Sequence, residues 1–247
     1  MAGKKTEKVR ARVNKYAYKS DEQLVQETMT GELEMLKPTD RLRLVVALDN
    51  AADVVAGFVN RIRDNSRKKV IERDFTTFKS LSAATFTFPE DTELYLVGHG
   101  NIHKIGGLVA EELVGDLLPF LQNNPQIKTI KLASCYSGAK IDTSMDLSIE
   151  QLTLVESKNL DVSLAEQISN ALSKCGAHVY GYIGQHGEEK KKKETHSFIS
   201  LKGKEYRAST ARVHFFQGIQ QGRPQESLKA KMDEIEIQDA GKFQLTF

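Results

Sequence analysis

Apolar residues recur along this chain in two alternating rhythms, short unbroken runs and longer stretches spaced three or four apart. Leu42 to Leu48 (LRLVVAL) is a run suited to a buried strand, and Val54, Val55, Phe58, Val59 and Ile62 then recur at helical spacing. Leu94 to Val97 precedes a helix expected around 109–123, and Ile127 to Ala133 precedes another expected around 163–175. In that last helix Ser163 and Glu166 have capping-box spacing, Leu164, Ile168 and Leu172 form a stripe, and Gly176 supplies a stop. An earlier helix is expected within 21–36, where Ser20 and Gln23 repeat the cap spacing. His178 to Ile183 reads as a further strand. Ser197 to Leu201, Lys204 to Ala208 and Arg212 to Phe216 read as short strands of a closing β-rich flap, two of them joined at Lys202-Gly203.

Strands alternating with helices predict the α/β class, with a mostly parallel central sheet flanked by helices. The chain divides into a basic amino-terminal arm and helix over 1–40, a main domain with its flap over 41–220, and an extension over 221–247. The stretch between Gly138 and Ser163 holds Asp142, Asp146, Glu150, Glu156 and Asp161 among scattered leucines and reads as an exposed loop.

Composition narrows the class. The 247 residues are 40% hydrophobic and 28% charged, ordinary globular values that exclude a disordered or fibrous chain. Two cysteines cannot build a disulfide framework, no Cys/His spacing resembles a metal site, and a reducing compartment is expected. No run reaches membrane-span length, so no membrane span is expected. A net charge of +2 gives no global field for a polyanion, and no nucleic-acid partner is expected. A polyanion would need a local cluster.

Two segments carry chemistry, LYLVGHGN (94–101) and IKLASCYSG (130–138). Each is an apolar strand that ends in small residues and presents one reactive side chain. In an open α/β sheet ligands bind at the carboxyl ends of the strands. Neighbouring strands would therefore deliver His99 and Cys135 to one rim. A free thiol is only about 3% thiolate at pH 7, so an adjacent imidazole serves it as base and then acid. The amides of Gly100 and Cys135 could form an oxyanion hole. The glycines of GHGNIHKIGG fit neither a dinucleotide fingerprint nor a P-loop. Asp49, which follows the first strand, reads as a helix N-cap for residues 51–62. The remaining histidines and Cys175 read as structural or surface residues.

A hydrophobic strand ending in His-Gly, followed by a second ending in a small residue and Cys, resembles the clan CD cysteine peptidases: caspases, metacaspases, legumains and gingipains. In order and content, from about Leu42 to Phe216, the chain is most similar to the inositol-hexakisphosphate-activated autoprocessing domains of large bacterial toxins. Ser134 stands where those domains usually carry Gly, and C-Y-S-G is closer to the C-x-S-G of legumains and metacaspases.

The resemblance implies a caspase-like fold and a cysteine endopeptidase acting through His99 and Cys135, with Asp49, or its competitor Asp53, as the upstream Asp that orients His99, and with Leu at P1. It implies an autoprocessing toxin or effector, found in the cytoplasm or delivered into a host cytosol, whose substrate is a peptide, another protein or itself. Leu147, Leu154 and Leu160 are then candidate cleavage positions. It also implies inositol hexakisphosphate as activator, bound by Lys190, Lys191, Lys192, Lys193, Lys202, Lys204, Arg207 and Arg212, although a tetralysine is also an ordinary solvated loop. The alternatives are a metacaspase-like or legumain-like peptidase with another P1 preference, and a non-catalytic binding module of the same fold.

Overall fold

A computed structural model describes residues 20–37, 39–49, 56–59, 68–139, 162–191, 194–201, 204–207 and 212–221, with side chains left undescribed from 185 to 207. The amino-terminal arm, the extension after 221, Asp53, the stretch 140–161 with its three candidate leucines, and Lys192, Lys193 and Lys202 lie outside these residues.

The protein is α/β, with a mostly parallel seven-stranded sheet flanked by helices. Its strands are β1 (Arg41–Ala47), β2 (Lys68–Asp74), β3 (Glu93–Val97), β6 (Thr129–Ala133), β7 (His178–Tyr182), β11 (Arg212–Phe216) and β12 (Ile219–Gln221). They are ordered β12-β11-β7-β6-β3-β1-β2. The five strands from β7 to β2 are parallel, and β11 and β12 close one edge antiparallel. A hairpin of β4 (Lys104–Ile105) and β5 (Leu108–Val109) follows β3, and β8 (Gln185–Lys191), β9 (Glu194–Leu201) and β10 (Lys204–Arg207) form a separate antiparallel sheet.

The helices are α1 (Asp21–Glu34), α2 (Phe75–Ser80), α3 (Ala110–Asn123) and α4 (Leu164–Ala171). The cap signals act as chemistry requires. Ser20 and Gln23 form the full capping box of α1, and the Ser163 hydroxyl accepts the Glu166 amide to start α4. After α4 the chain tightens into a 3-10 turn over Ser173–Cys175 and stops at Gly176, whose φ of 62° favours glycine.

One face of the sheet carries the main core. Leu42, Leu44, Leu94, Leu96, Ile130, Leu132, Val179 and Phe215 meet Leu113, Leu117 and Phe120 of α3 and Leu164 and Ile168 of α4 there. On the other face Val45, Tyr95, Val97 and Ala133 pack with Phe58 and Val59 of the helical residues 56–59. Burial on both faces is why β1 and β3 read as unbroken apolar runs.

The structure adds α2, the β4–β5 hairpin and β12, none of which was read from the sequence, and it departs from that reading at β2, β8 and β11. β2 (KKVIERD) went unread because only Ile71 is buried on this edge strand, and its charges blunt an exposed edge. β8 (QHGEEKK) carries no apolar run at all, so Lys190 and Lys191 belong to a strand rather than a loop. β11 pairs with β7 in the main sheet instead of joining β9 and β10, because Val213 and Phe215 find the main core.

Candidate active site

The chain order across the sheet reverses between β1 and β3. From β1 it goes outward to β2 by way of residues 56–59 on one face, and from β3 it goes the other way to β6 by way of α3 on the opposite face. The connections diverge, and the crevice between them is where open α/β sheets bind ligands.

Three residues converge on that crevice through register. Ala47 is paired with Val97, and Val97 with Ala133. Asp49, His99 and Cys135 each stand two residues beyond this shared rung, on three adjacent parallel strands. His99 is exposed and Cys135 half-buried, so the rim is open to solvent.

The Gly-His-Gly segment is pinned on both sides. Asp49 Oδ2 accepts the His99 backbone N–H at 2.7 Å, and a Cβ on Gly98 would come within 3.1 Å of the same oxygen. Asp49 thus holds the main chain of His99. Its alternative reading as cap of a helix from 51 meets residues 50–55, which lie outside the described set. On the far side, a Cβ on Gly100 would fall 2.6 Å from Ser134 Oγ and 2.5 Å from the Lys104 carbonyl. The His-bearing and Cys-bearing segments therefore press together at Gly100 and Ser134.

Gly100 also forms an antiparallel bridge with Ile105, closed by Gly106 N–H to His99 O at 2.7 Å and Asn101 N–H to Lys104 O at 2.9 Å. In such a non-hydrogen-bonded pair the amide of Gly100 takes no part and points away from Ile105. Asn101 Oδ1 accepts the amides of His103 and Lys104, which shapes this turn and removes any helical pairing of His99 with His103. Burial, then the charge of Lys104, lowers the His103 pKa.

The turn after Cys135 is tightly made. Tyr136 adopts φ 54°, a left-handed conformation costly for a side-chain-bearing residue, and its amide donates to Gly184 O at 2.9 Å. Burial, and then the neighbouring Cys135, raise the Tyr136 hydroxyl's pKa. The buried Ser137 hydroxyl donates toward the carbonyls of Leu132 and Ser134 and accepts the Tyr182 amide at 3.1 Å. A Cβ on either Gly138 or Gly181 would strike the other segment's backbone within 2.7 Å, so Cys135 is braced by the end of β7.

The first turn of α4 touches both segments. Leu164 N–H donates to Ile102 O at 3.2 Å and Ala165 N–H to Ser137 O at 2.9 Å. Sequence reasoning missed this clamp and the roles of Ser134, Ser137 and Asn101. Only Gly181, an isolated glycine within a strand pattern, was a readable sign of close backbone approach.

The basic residues proposed for a polyanion are spread out. Lys190 and Lys191 sit at the hairpin end of β8 opposite Thr195 and Glu194, while Lys204 and Arg207 lie on β10 opposite Leu201 and Phe198, at the other edge of that sheet. Along β9 from Thr195 it is about 10 Å to Phe198, opposite Arg207, and about 20 Å to Leu201, opposite Lys204. Arg212 stands in the main sheet with its guanidinium 4.6 Å from the Tyr180 ring centroid.

Among the described residues no three or more His, Cys, Asp or Glu side chains are grouped to hold a metal, and no helix is long and apolar enough to cross a membrane. No protein-family model matches the sequence, and no curated protein matches it.

Proposed function

We propose that the protein is a caspase-like cysteine endopeptidase with Cys135 as nucleophile and His99 as acid and base. One observation carries this reading: His99 and Cys135 leave adjacent parallel strands two residues past the same rung, and their segments touch at Gly100 and Ser134. His99 takes the thiol proton as Cys135 Sγ attacks the scissile carbonyl carbon, and the oxyanion forms beside the Gly100 amide. The C–N bond breaks as His99 protonates the leaving amine. A water, deprotonated by His99, then attacks the thioester; the C–S bond breaks and the acid product leaves. Asp49 holds the His99 main chain during both steps.

Leu at P1, self-processing and a toxin or effector role complete the proposal, and rest on the resemblance of VGHGN and ASCYSG to the toxin domains. The sheet of β8, β9 and β10 is the flap in this reading, and inositol hexakisphosphate is the activator. With six phosphates that ligand carries about −9 to −12 charge at pH 7, so its binding must be salt-sensitive. The placement of the basic residues argues for more than one contact region, with Arg212 on the main sheet and the lysines on the flap.

The test is cleavage of a peptide with Leu at P1 by wild type, Cys135→Ala and His99→Ala, each with and without inositol hexakisphosphate. Both substitutions should abolish cleavage, and turnover by Cys135→Ala would overturn the assignment. Equal wild-type rates and equal melting temperatures with and without the polyanion would remove the activator while leaving the peptidase.

A further inference from the structure

We propose that the start of α4 is a latch that positions the pair, with Ser163 as the positioning residue that holds it closed. The proposal rests on the reading of His99 and Cys135 as a working pair.

The argument starts from the unpaired amides at a helix's first turn, which must find partners outside the helix. In α4 each of the first three has a different one. Leu164 N–H goes to Ile102 O, three residues after His99; Ala165 N–H goes to Ser137 O, two residues after Cys135; Glu166 N–H goes to the Ser163 hydroxyl at 3.2 Å. The first two tie both reactive segments to one rigid element. The third sets where the helix begins, and so where the other two amides point. Ser163 is 1% exposed and Leu164 and Ala165 are fully buried, so the connection is dry and sits against the main core through Leu164 and Ile168. Sheet register alone brings the two strands side by side. The turn 99–103, with His99 exposed and the rest half-buried, and the strained turn at Tyr136 each have local bonds of their own, and α4 is the element that bonds to both segments.

The molecule supplies its own control. Ser20 caps α1 with the same bond, its hydroxyl accepting the Gln23 amide at 3.2 Å, on a helix that holds no part of the site. Both removals delete a serine cap bond, with Ser20 exposed and Ser163 buried, and only the second should disturb the pair.

The experiment measures the rate and pH profile of Cys135 alkylation by iodoacetamide, followed by mass spectrometry, with melting temperature recorded alongside. The proteins are wild type, His99→Ala, Ser163→Ala, Ser163→Thr and Ser20→Ala. Ser163→Ala should slow alkylation at pH 7 by about three- to tenfold and move its pH profile toward that of an ordinary thiol, as His99→Ala does more fully. Ser163→Thr keeps the acceptor oxygen and should restore the wild-type profile. Ser20→Ala should lower the melting temperature without touching the profile. If Ser163→Ala alkylates like wild type while melting lower, Ser163 is only a helix cap and the latch is overturned. If His99→Ala leaves the wild-type profile unchanged, the pair itself fails, and with it the latch.

Discussion

The two ends of the same strands are built on opposite principles. At the amino end of β3, Glu93 Oε2 lies 2.8 Å from Arg43 Nε, 2.7 Å from Lys131 Nζ and 2.8 Å from the Tyr95 hydroxyl, and Lys131 Nζ also reaches that hydroxyl at 3.0 Å. Each charge answers another across β1, β3 and β6. At the carboxyl end the same three strands finish in Asp49, Gly98-His99-Gly100 and Ser134-Cys135, where glycines and a left-handed tyrosine replace salt bridges. One end spends its side chains on holding the sheet. The other leaves the His99 imidazole exposed and the Cys135 thiol half-buried at the rim, as the proposed chemistry on a substrate requires.

That contrast breaks first at the pair. Cys135→Ala and His99→Ala should each lower peptidase turnover at least about 1000-fold while leaving the melting temperature nearly unchanged, because both side chains stand beyond the strands. A thiol-directed peptide probe should label Cys135 and spare Cys175, whose pKa burial raises against the opposing charge of Lys128. Equal labelling of the two cysteines would deny Cys135 any special environment.

Gly100→Ala sharpens it next. The added methyl would meet Lys104 O and Ser134 Oγ, forcing the two reactive segments apart, and turnover should fall about 100-fold with only a modest loss of stability. Kinetics set beside a melting curve decide this; a fall in stability without a fall in turnover would mean that the contact at Gly100 does not set the pair's geometry.

At the opposite end, Glu93→Gln should do the reverse. It strands Arg43 and Lys131, whose side chains are 7% and 12% exposed, and should cost about 2–4 kcal/mol in denaturant unfolding while Cys135 alkylates at the wild-type rate.

The smallest effect is one of pH. Burial, against the pull of Glu93, pushes Lys131 down to about 8 from its ordinary 10.5. Between those values the unfolded chain binds the proton that the folded chain has released, so stability should rise with pH from about 8 to 10, on the order of 2 kcal/mol. Lys131→Met should flatten that rise. Glu93 has a dependence of the same sign in an acidic range: burial alone would raise its pKa, but Lys131 and Arg43 together outweigh it and lower the pKa, so its contribution is present above the ordinary 4.5 and lost as pH falls through the lower folded value. Urea melts across both ranges measure the two slopes separately.

Much of this was legible in the residues themselves. Runs such as LRLVVAL and ELYLV are apolar on both faces, which only a covered parallel sheet explains, and Ser20, Ser163 and Gly176 mark helix ends through bonds made within three or four residues. His99 and Cys135 stood out because each ends an apolar run among small residues. Local chemistry determines such features, and local chemistry is what a sequence records. The tertiary structure alone decided what depends on register and on contacts between distant residues. These are the shared rung that aligns Asp49, His99 and Cys135, the contact of Gly100 with Ser134, the passage of β11 into the main sheet, and the reach of α4 to Ile102 and Ser137. Those partners lie tens of residues apart along the chain, and the pairing of one strand with another is fixed by how a whole face buries its apolar side chains, which no single stretch of sequence carries.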